Sequence, residues 1–286
     1  MNYDEVLYFL NYIYEYFPDL NERGVYEILC NFGLTNDDVE GELSSNLLHN
    51  KPKNIKNNNY FNYLISKINN SSKCTRAFCD EKWKNFCQFH NIKNKKESGQ
   101  YIKVYIPLKY LHILKGSIKI FDFLEKNNIF HKSKIADVIR SDNVVVRLAE
   151  GDYDNLKLLL DFIDRDKYIK DGLNKCNPFV PTNWNKSGVG VLNIDEDISK
   201  SYNETISSCI AEYIHYQRGI DSKYYNFMKI KKENPNPEEP TVEGFYKYIE
   251  ENHKFLNEDV RVQTLKLLKN SLIIGRQLDL NNKKRI

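Results

Sequence analysis

Residues 101–108 (YIKVYIPL) keep a strict two-residue alternation, with Ile102, Val104, Ile106 and Leu108 apolar and Tyr101, Lys103 and Tyr105 between them. A period of two sends alternate side chains to opposite faces. The segment therefore reads as a half-buried strand on which Lys103 and Tyr105 share the second face. Residues 132–148 (KSKIADVIRSDNVVVRL) place two β-branched runs around a polar turn and carry cations at their ends, the pattern of a cationic β-hairpin. Such strands can aim Lys103, Tyr105, Lys134, Arg140 and Arg147 toward one anion.

A chain of 286 residues holds one large domain or two modest ones, each able to bury a core without staples. Its six cysteines are scattered through ordinary globular sequence, which fits thiols in a reducing compartment better than a cystine framework. The longest apolar run, residues 6–17, is shorter than a bilayer span and is broken by Asn11 and Glu15, so it reads as an amphipathic helix without membrane insertion. The expected location is cytoplasmic, with specialised secretion of an unsignalled protein left open. Net charge is only +3 but uneven. Between residues 4 and 42 Arg23 is the sole basic residue, whereas residues 51–134 are lysine-rich with interspersed aromatics. That basic middle suits a phosphorylated protein or nucleic acid, and its plain alternative is a solvated surface.

Apolar spacing gives a helical hairpin over residues 6–17 and 25–32, a third helix capped at Thr35, a polar connection over 49–59, and further helices over 60–68 and 78–89. The strand at 101–108 is followed by a helix over 110–126, the hairpin, and a helix over 153–163. Pro178 and Pro181 make residues 177–182 an extended segment, and residues 188–192 read as a short strand. Ser201 caps a helix whose buried stripe is Ile206, Ile210, Ala211, Tyr213 and Ile214. After a proline-rich stretch over 233–240, Thr241 caps another helix, and a last one follows. The fold class is α+β: a central mixed or antiparallel sheet with flanking helices and helical N- and C-terminal regions. The domains are 1–97, a helical N-terminal region; 98–232, an α+β core; and 241–286, a C-terminal helical hairpin.

Cys74, Cys79, Cys87 and His90 carry the atom types of a zinc site, but their spacing departs from paired ligands, so no metal is assigned and buried thiols on a helix are expected. The chain has no Gly-rich nucleotide loop, no His-Glu-X-X-His pair and no Gly-X-Ser-X-Gly elbow, which removes the strongest signs of those chemistries.

Lys103-Val-Tyr105, Lys134-Ile-Ala-Asp137, Arg140, the later NPFVPT (177–182) and GVGVLN (188–193) follow an order that resembles the phosphothreonine lyase superfamily, in particular its HopA-type effector branch. The resemblance spans residues 101–216. It implies β-elimination of phosphate from phosphoserine or phosphothreonine without a cofactor, with Lys134 as base and Arg140 and Lys103 binding phosphate. The acid that protonates the leaving oxygen is Tyr105 or, through space, His131. Two positions depart from the family. Tyr105 stands where the lyases have a histidine, and tyrosine, with an ordinary pKa of ~10, is the weaker acid at neutral pH. Ile206 stands near an expected arginine.

Two functions follow. One is a phosphopeptide-recognising protein whose implied activity is that of a carbon-oxygen lyase acting on phosphate. The other is a noncatalytic effector or mobile-element interaction protein that binds protein or nucleic acid through the basic middle. For Lys134 the plain alternative is the solvent face of an edge strand, where a lysine discourages sheet pairing.

Overall fold

The computed structural model describes residues 3–34, 76–79, 86–90, 100–136, 140–182, 185–195, 201–219, 238–252, 264–266 and 268–269. Its elements are helices α1 (Tyr3–Tyr16), α2 (Glu22–Cys30), α3 (Ile113–Lys126), α4 (Tyr153–Arg165), α5 (Lys167–Asp171), α6 (Tyr202–Arg218) and α7 (Val242–Asn252). The strands are β1 (Arg76–Cys79), β2 (Phe86–His90), β3 (Gln100–Ile106), β4 (His131–Ala136), β5 (Val144–Ala149) and β6 (Gly190–Asp195). The fold is α+β. Chain contacts divide it into two compact units.

One unit, Cys30–Asn177 and Thr182–Ile194, carries the sheet, whose strand order is β1-β2-β4-β5-β3-β6. The pairs β1/β2, β2/β4, β4/β5 and β5/β3 are antiparallel. Alternation on β3 and β5 does what the sequence requires: Ile102, Val104 and Ile106 join Val144, Val146 and Leu148 in one apolar layer. Ile120, Phe121 and Leu124 of α3 and Leu156, Leu159, Leu160 and Ile163 of α4 pack on it. Stacked Phe123 and Phe162 rings, 4.2 Å apart, tie the two helices together. Burying each of these large aliphatic side chains is worth about 1.5–3 kcal/mol, so this layer dominates the unit's stability.

The other unit, Met1–Leu29, Pro178–Pro181 and Asp195–Ile286, is helical in its described residues. Its core joins Val6, Phe9, Leu10 and Ile13 of α1 to Ile206, Cys209, Ile210 and Tyr213 of α6 and Phe245 and Ile249 of α7. Helix α6 begins with a capping box. Ser201 Oγ accepts from Glu204 N at 3.4 Å, and Ser201 N donates to Glu204 Oε2 at 2.6 Å. It ends at Gly219, whose φ of 65° places it in the left-handed region that glycine tolerates best. Thr241 Oγ1 caps α7 by accepting from Gly244 N at 2.9 Å.

Three readings need correction. Residues 78–89, expected as a helix, contain parts of β1 and β2 instead: their Phe and Cys content suits either state, and pairing of β2 to β4 over five residues settles it. Residues 177–182 are not fully extended, since Pro178 and Phe179 form a turn. Phe179 is buried edge-on between Phe9 and Phe245, with centroids 5.7 and 5.9 Å away, which makes this segment a packed connection. Finally, β4 is an interior strand between β2 and β5, so Lys134 does not guard a sheet edge. The expected cap at Thr35, the connection over 49–59, the helix over 60–68, Cys74 and Asp137 lie outside the described residues. Among the described residues no helix is long and apolar enough to cross a membrane.

Candidate functional site

Strand register sets the site. Lys103 of β3 is opposite Arg147 of β5, and Arg147 is opposite Lys132 of β4. One step along the strands, Tyr105 is opposite Val145, and Val145 is opposite Lys134. Directly opposed residues in an antiparallel pair point to the same face. These two rows therefore occupy the sheet face opposite α3 and α4, and they bring Lys103, Lys132, Lys134, Arg147 and Tyr105 onto one surface. Neighbouring strands are ~4.8 Å apart, so each row spans about 10 Å from β3 to β4.

Much of this surface is buried. Lys103 is 1% exposed, and Tyr105, Val145 and Arg147 are buried as well. Lys132 and Lys134 are partly exposed. Lys132 Nζ also lies 5.9 Å from the centre of the Tyr101 ring, a cation-π arrangement at the end of its row.

The turn between β4 and β5 adds Arg140 and Asp142, both buried. Asn143 fixes this turn through a reciprocal pair of bonds to Leu108, two residues past the end of β3. Leu108 N donates to Asn143 Oδ1 at 2.9 Å, and Asn143 Nδ2 donates to Leu108 O at 2.5 Å. Ser141 N donates to Cys30 O at 2.7 Å. Held this way, Arg140 grips Asp142 with both arms, Nε to Oδ1 at 2.6 Å and Nη2 to Oδ2 at 3.2 Å, and Nη2 also donates to Cys30 Sγ at 2.9 Å. The fork expected to clasp phosphate is thus engaged by a carboxylate two residues away.

Lys134 feels all of these groups. Burial lowers its pKa to about 7, aided by the positive charges of Arg147, Lys103 and Arg140, while Asp142 acts in the opposite direction. Desolvation leads because an ammonium loses more hydration than a neutral amine, and neighbouring cations add to the penalty. At neutral pH such an amine is protonated about half the time, so it is able to take a proton. An ordinary lysine, with a pKa of ~10.4, is not.

Of the residues read from sequence, Lys103, Tyr105, Lys134 and Arg140 gather here. His131 does not. Lying three residues before Lys134, it belongs to the opposite face of β4, where its ring stacks on Phe121 at 5.7 Å and Nδ1 is 2.8 Å from Ser133 Oγ. Strand parity alone carried that signal. The residue missing from the assigned catalytic and phosphate-binding set is Asp142, whose part depends on the turn geometry. Arg147, expected near the anion, is the charged neighbour that lowers the Lys134 pKa most. Cys176 Sγ donates to the Tyr105 carbonyl oxygen at 3.6 Å, and burial pushes its thiol up to about 12, which makes it inert as a nucleophile. In the zinc candidate, the register sets Cys79 opposite Cys87, and His90 opposite both Arg76 and Lys132. Among the described residues no group of three potential ligands is placed to hold a metal.

No protein-family model matches the chain. No curated protein matches it either. Among solved structures it is similar to an effector protein from Pseudomonas syringae pv. tomato strain DC3000, at 11% identity over 92% of this chain and 96% of that one, with a TM-score of 0.45. An effector protein from Pseudomonas syringae pv. syringae strain 61 is similar at 11% identity over 87% of this chain and 92% of that one, also with a TM-score of 0.45.

Proposed function

We propose that the sheet face opposite α3 and α4 binds the phosphoryl group of a phosphoserine or phosphothreonine peptide, and that Lys134 is the base of a β-elimination there. One observation carries this reading: a partly buried lysine, brought to about 7, lies among Arg147, Lys103 and Arg140. A base for a carbon acid and cations for a dianion are what the reaction needs.

In this reading Lys134 Nζ removes the α-proton of the phosphorylated residue. The electron pair forms the Cα–Cβ double bond, the Cβ–O bond breaks, and phosphate departs. Lys103 and Arg147, adjacent in one row, hold the phosphoryl oxygens. Arg140, engaged by Asp142, adds positive potential from the turn. Tyr105, in the same row as Lys134, gives a proton to the leaving oxygen. The ligand meets the cluster from the β4 side, where Lys132 and Lys134 are partly exposed. No cofactor takes part.

A second reading, phosphopeptide binding without turnover, is favoured by Tyr105, because a phenol is a poorer proton donor at neutral pH than the histidine it replaces. One experiment separates the two. A phosphothreonine peptide and its unphosphorylated twin are incubated with the full chain; mass spectrometry follows dehydroamino acid and a colorimetric assay follows phosphate, while calorimetry measures binding. Elimination is expected to give both products, and Lys134→Ala to give neither. Tight, phosphate-dependent binding of a peptide that stays intact supports the second reading. Equal affinity for the two peptides sinks both.

A further inference from the structure

We infer that α1 presents a docking surface for a basic, arginine-bearing segment of a partner protein. Its buried stripe, Val6, Phe9, Leu10 and Ile13, faces the helical core. On another side, Tyr8, Tyr12 and Tyr16 follow one another at four-residue spacing, and their rings form a continuous run. Tyr8 and Tyr12 are stacked at 6.1 Å, Tyr12 and Tyr16 lie 5.4 Å apart, and Phe17 closes the run 5.5 Å from Tyr12. Tyr8 is 64% exposed and Tyr16 is 66% exposed. A contiguous run of exposed aromatic rings is the kind of patch that marks a protein interaction site.

Charge selects the occupant. Exposed Glu15 follows Tyr12 by three residues, so its carboxylate lies along the ladder. The surrounding sequence is acidic, with Asp4, Glu5 and Asp19, and Arg23 is the only basic residue between positions 4 and 42. A nucleic acid could stack on tyrosines, but these carboxylates would repel its phosphates. Guanidinium groups satisfy both features, since they pack on aromatic faces and pair with carboxylates.

This helical unit already packs arginine on tyrosine twice, once beside a carboxylate and once beside a backbone carbonyl. Arg23 sits 5.2 Å from the centre of the Tyr26 ring while its Nε donates to Glu27 at 2.9 Å. Arg218 lies 3.9 Å from the centre of the Tyr14 ring and donates from Nε to Tyr14 O at 3.1 Å. The ladder offers ring faces beside the Glu15 carboxylate to an arginine from outside the chain. It is independent of Lys134, and it is assigned to a protein partner and not to a substrate phosphate.

The test is fluorescence anisotropy with three labelled peptides of equal length, rich in arginine, lysine or glutamate, and a labelled single-stranded oligonucleotide, titrated with the full chain. The arginine peptide is expected to bind best and the glutamate peptide not at all. Tyr8→Ser/Tyr16→Ser, which changes only exposed rings, and separately Glu15→Lys are expected to weaken arginine-peptide binding at least tenfold, whereas Lys134→Met leaves it unchanged. The inference is overturned by no arginine-peptide binding, by equal binding to the tyrosine variant, or by preference for the oligonucleotide. Self-association in sedimentation that the tyrosine substitutions abolish would also overturn it, because a second copy would then be the occupant.

Discussion

Replacing Lys134 with methionine is expected to stabilise the protein. A fall in pKa from about 10.4 in the unfolded chain to about 7 in the fold means that the folded state resists binding this proton. The sign follows from proton counts. Above ~10.4 both states carry a neutral amine and the penalty vanishes. Between ~10.4 and about 7 the unfolded chain holds a proton that the fold has released, so stability falls as pH falls. Below about 7 both are protonated and the penalty is fully present. Its ceiling is about 4–5 kcal/mol at 1.36 kcal/mol per pH unit, and water penetration at a partly exposed site reduces it to about 1–3 kcal/mol. Methionine keeps the chain length and removes the charge. Urea unfolding of both proteins at pH 7 and pH 9 measures the difference, and other titrations cancel in the comparison. The variant is expected to gain stability at pH 7 and to lose part of that advantage, up to about 2 kcal/mol, at pH 9. A destabilised variant, or a gain independent of pH, would refute the reasoning.

Other consequences concern the neighbours. If Lys134 is the base, log(kcat/KM) for elimination should rise by one per pH unit below about 7 and level off above it, and Arg147→Gln should move that midpoint upward by on the order of one pH unit besides weakening substrate binding. Asp142→Asn leaves the buried Arg140 guanidinium without its carboxylate and is expected to cost about 3–5 kcal/mol in urea unfolding. His131→Asn, altering the helix-facing side of β4, should leave the pH profile of elimination unchanged; a shift of its midpoint would place imidazole at the reacting face.

Local rules made the sheet legible. Alternation at β3 and the β-branched runs of β4 and β5 fix both strand identity and face, because a one-residue slip would turn Ile102, Val104 and Ile106 out of the core. The same parity set Lys103 and Tyr105 together, and applied to β4 it separates His131 from Lys134. Ser201 and Thr241 were readable as caps because each needs only a backbone donor three residues on. The β2 strand was hidden, since a short mixed aromatic and polar run satisfies either period and only its pairing with β4 decides. Nor did local pattern reveal that Arg140 would be held by Asp142 and Cys30. That arrangement depends on a turn fixed by Asn143 and on a residue 110 positions away. The lowered Lys134 pKa has the same origin: it arises when β3, β5 and the turn bring their charges to one place.

The most direct measurement is a titration of the Lys134 side-chain nitrogen by NMR in the full chain, with the resonance assigned by its loss in Lys134→Met. The expected midpoint is about 7, moving upward when a phosphothreonine peptide is bound, because an added dianion favours the ammonium. A midpoint above ~9 in the free protein, unchanged by the phosphopeptide, would contradict the account.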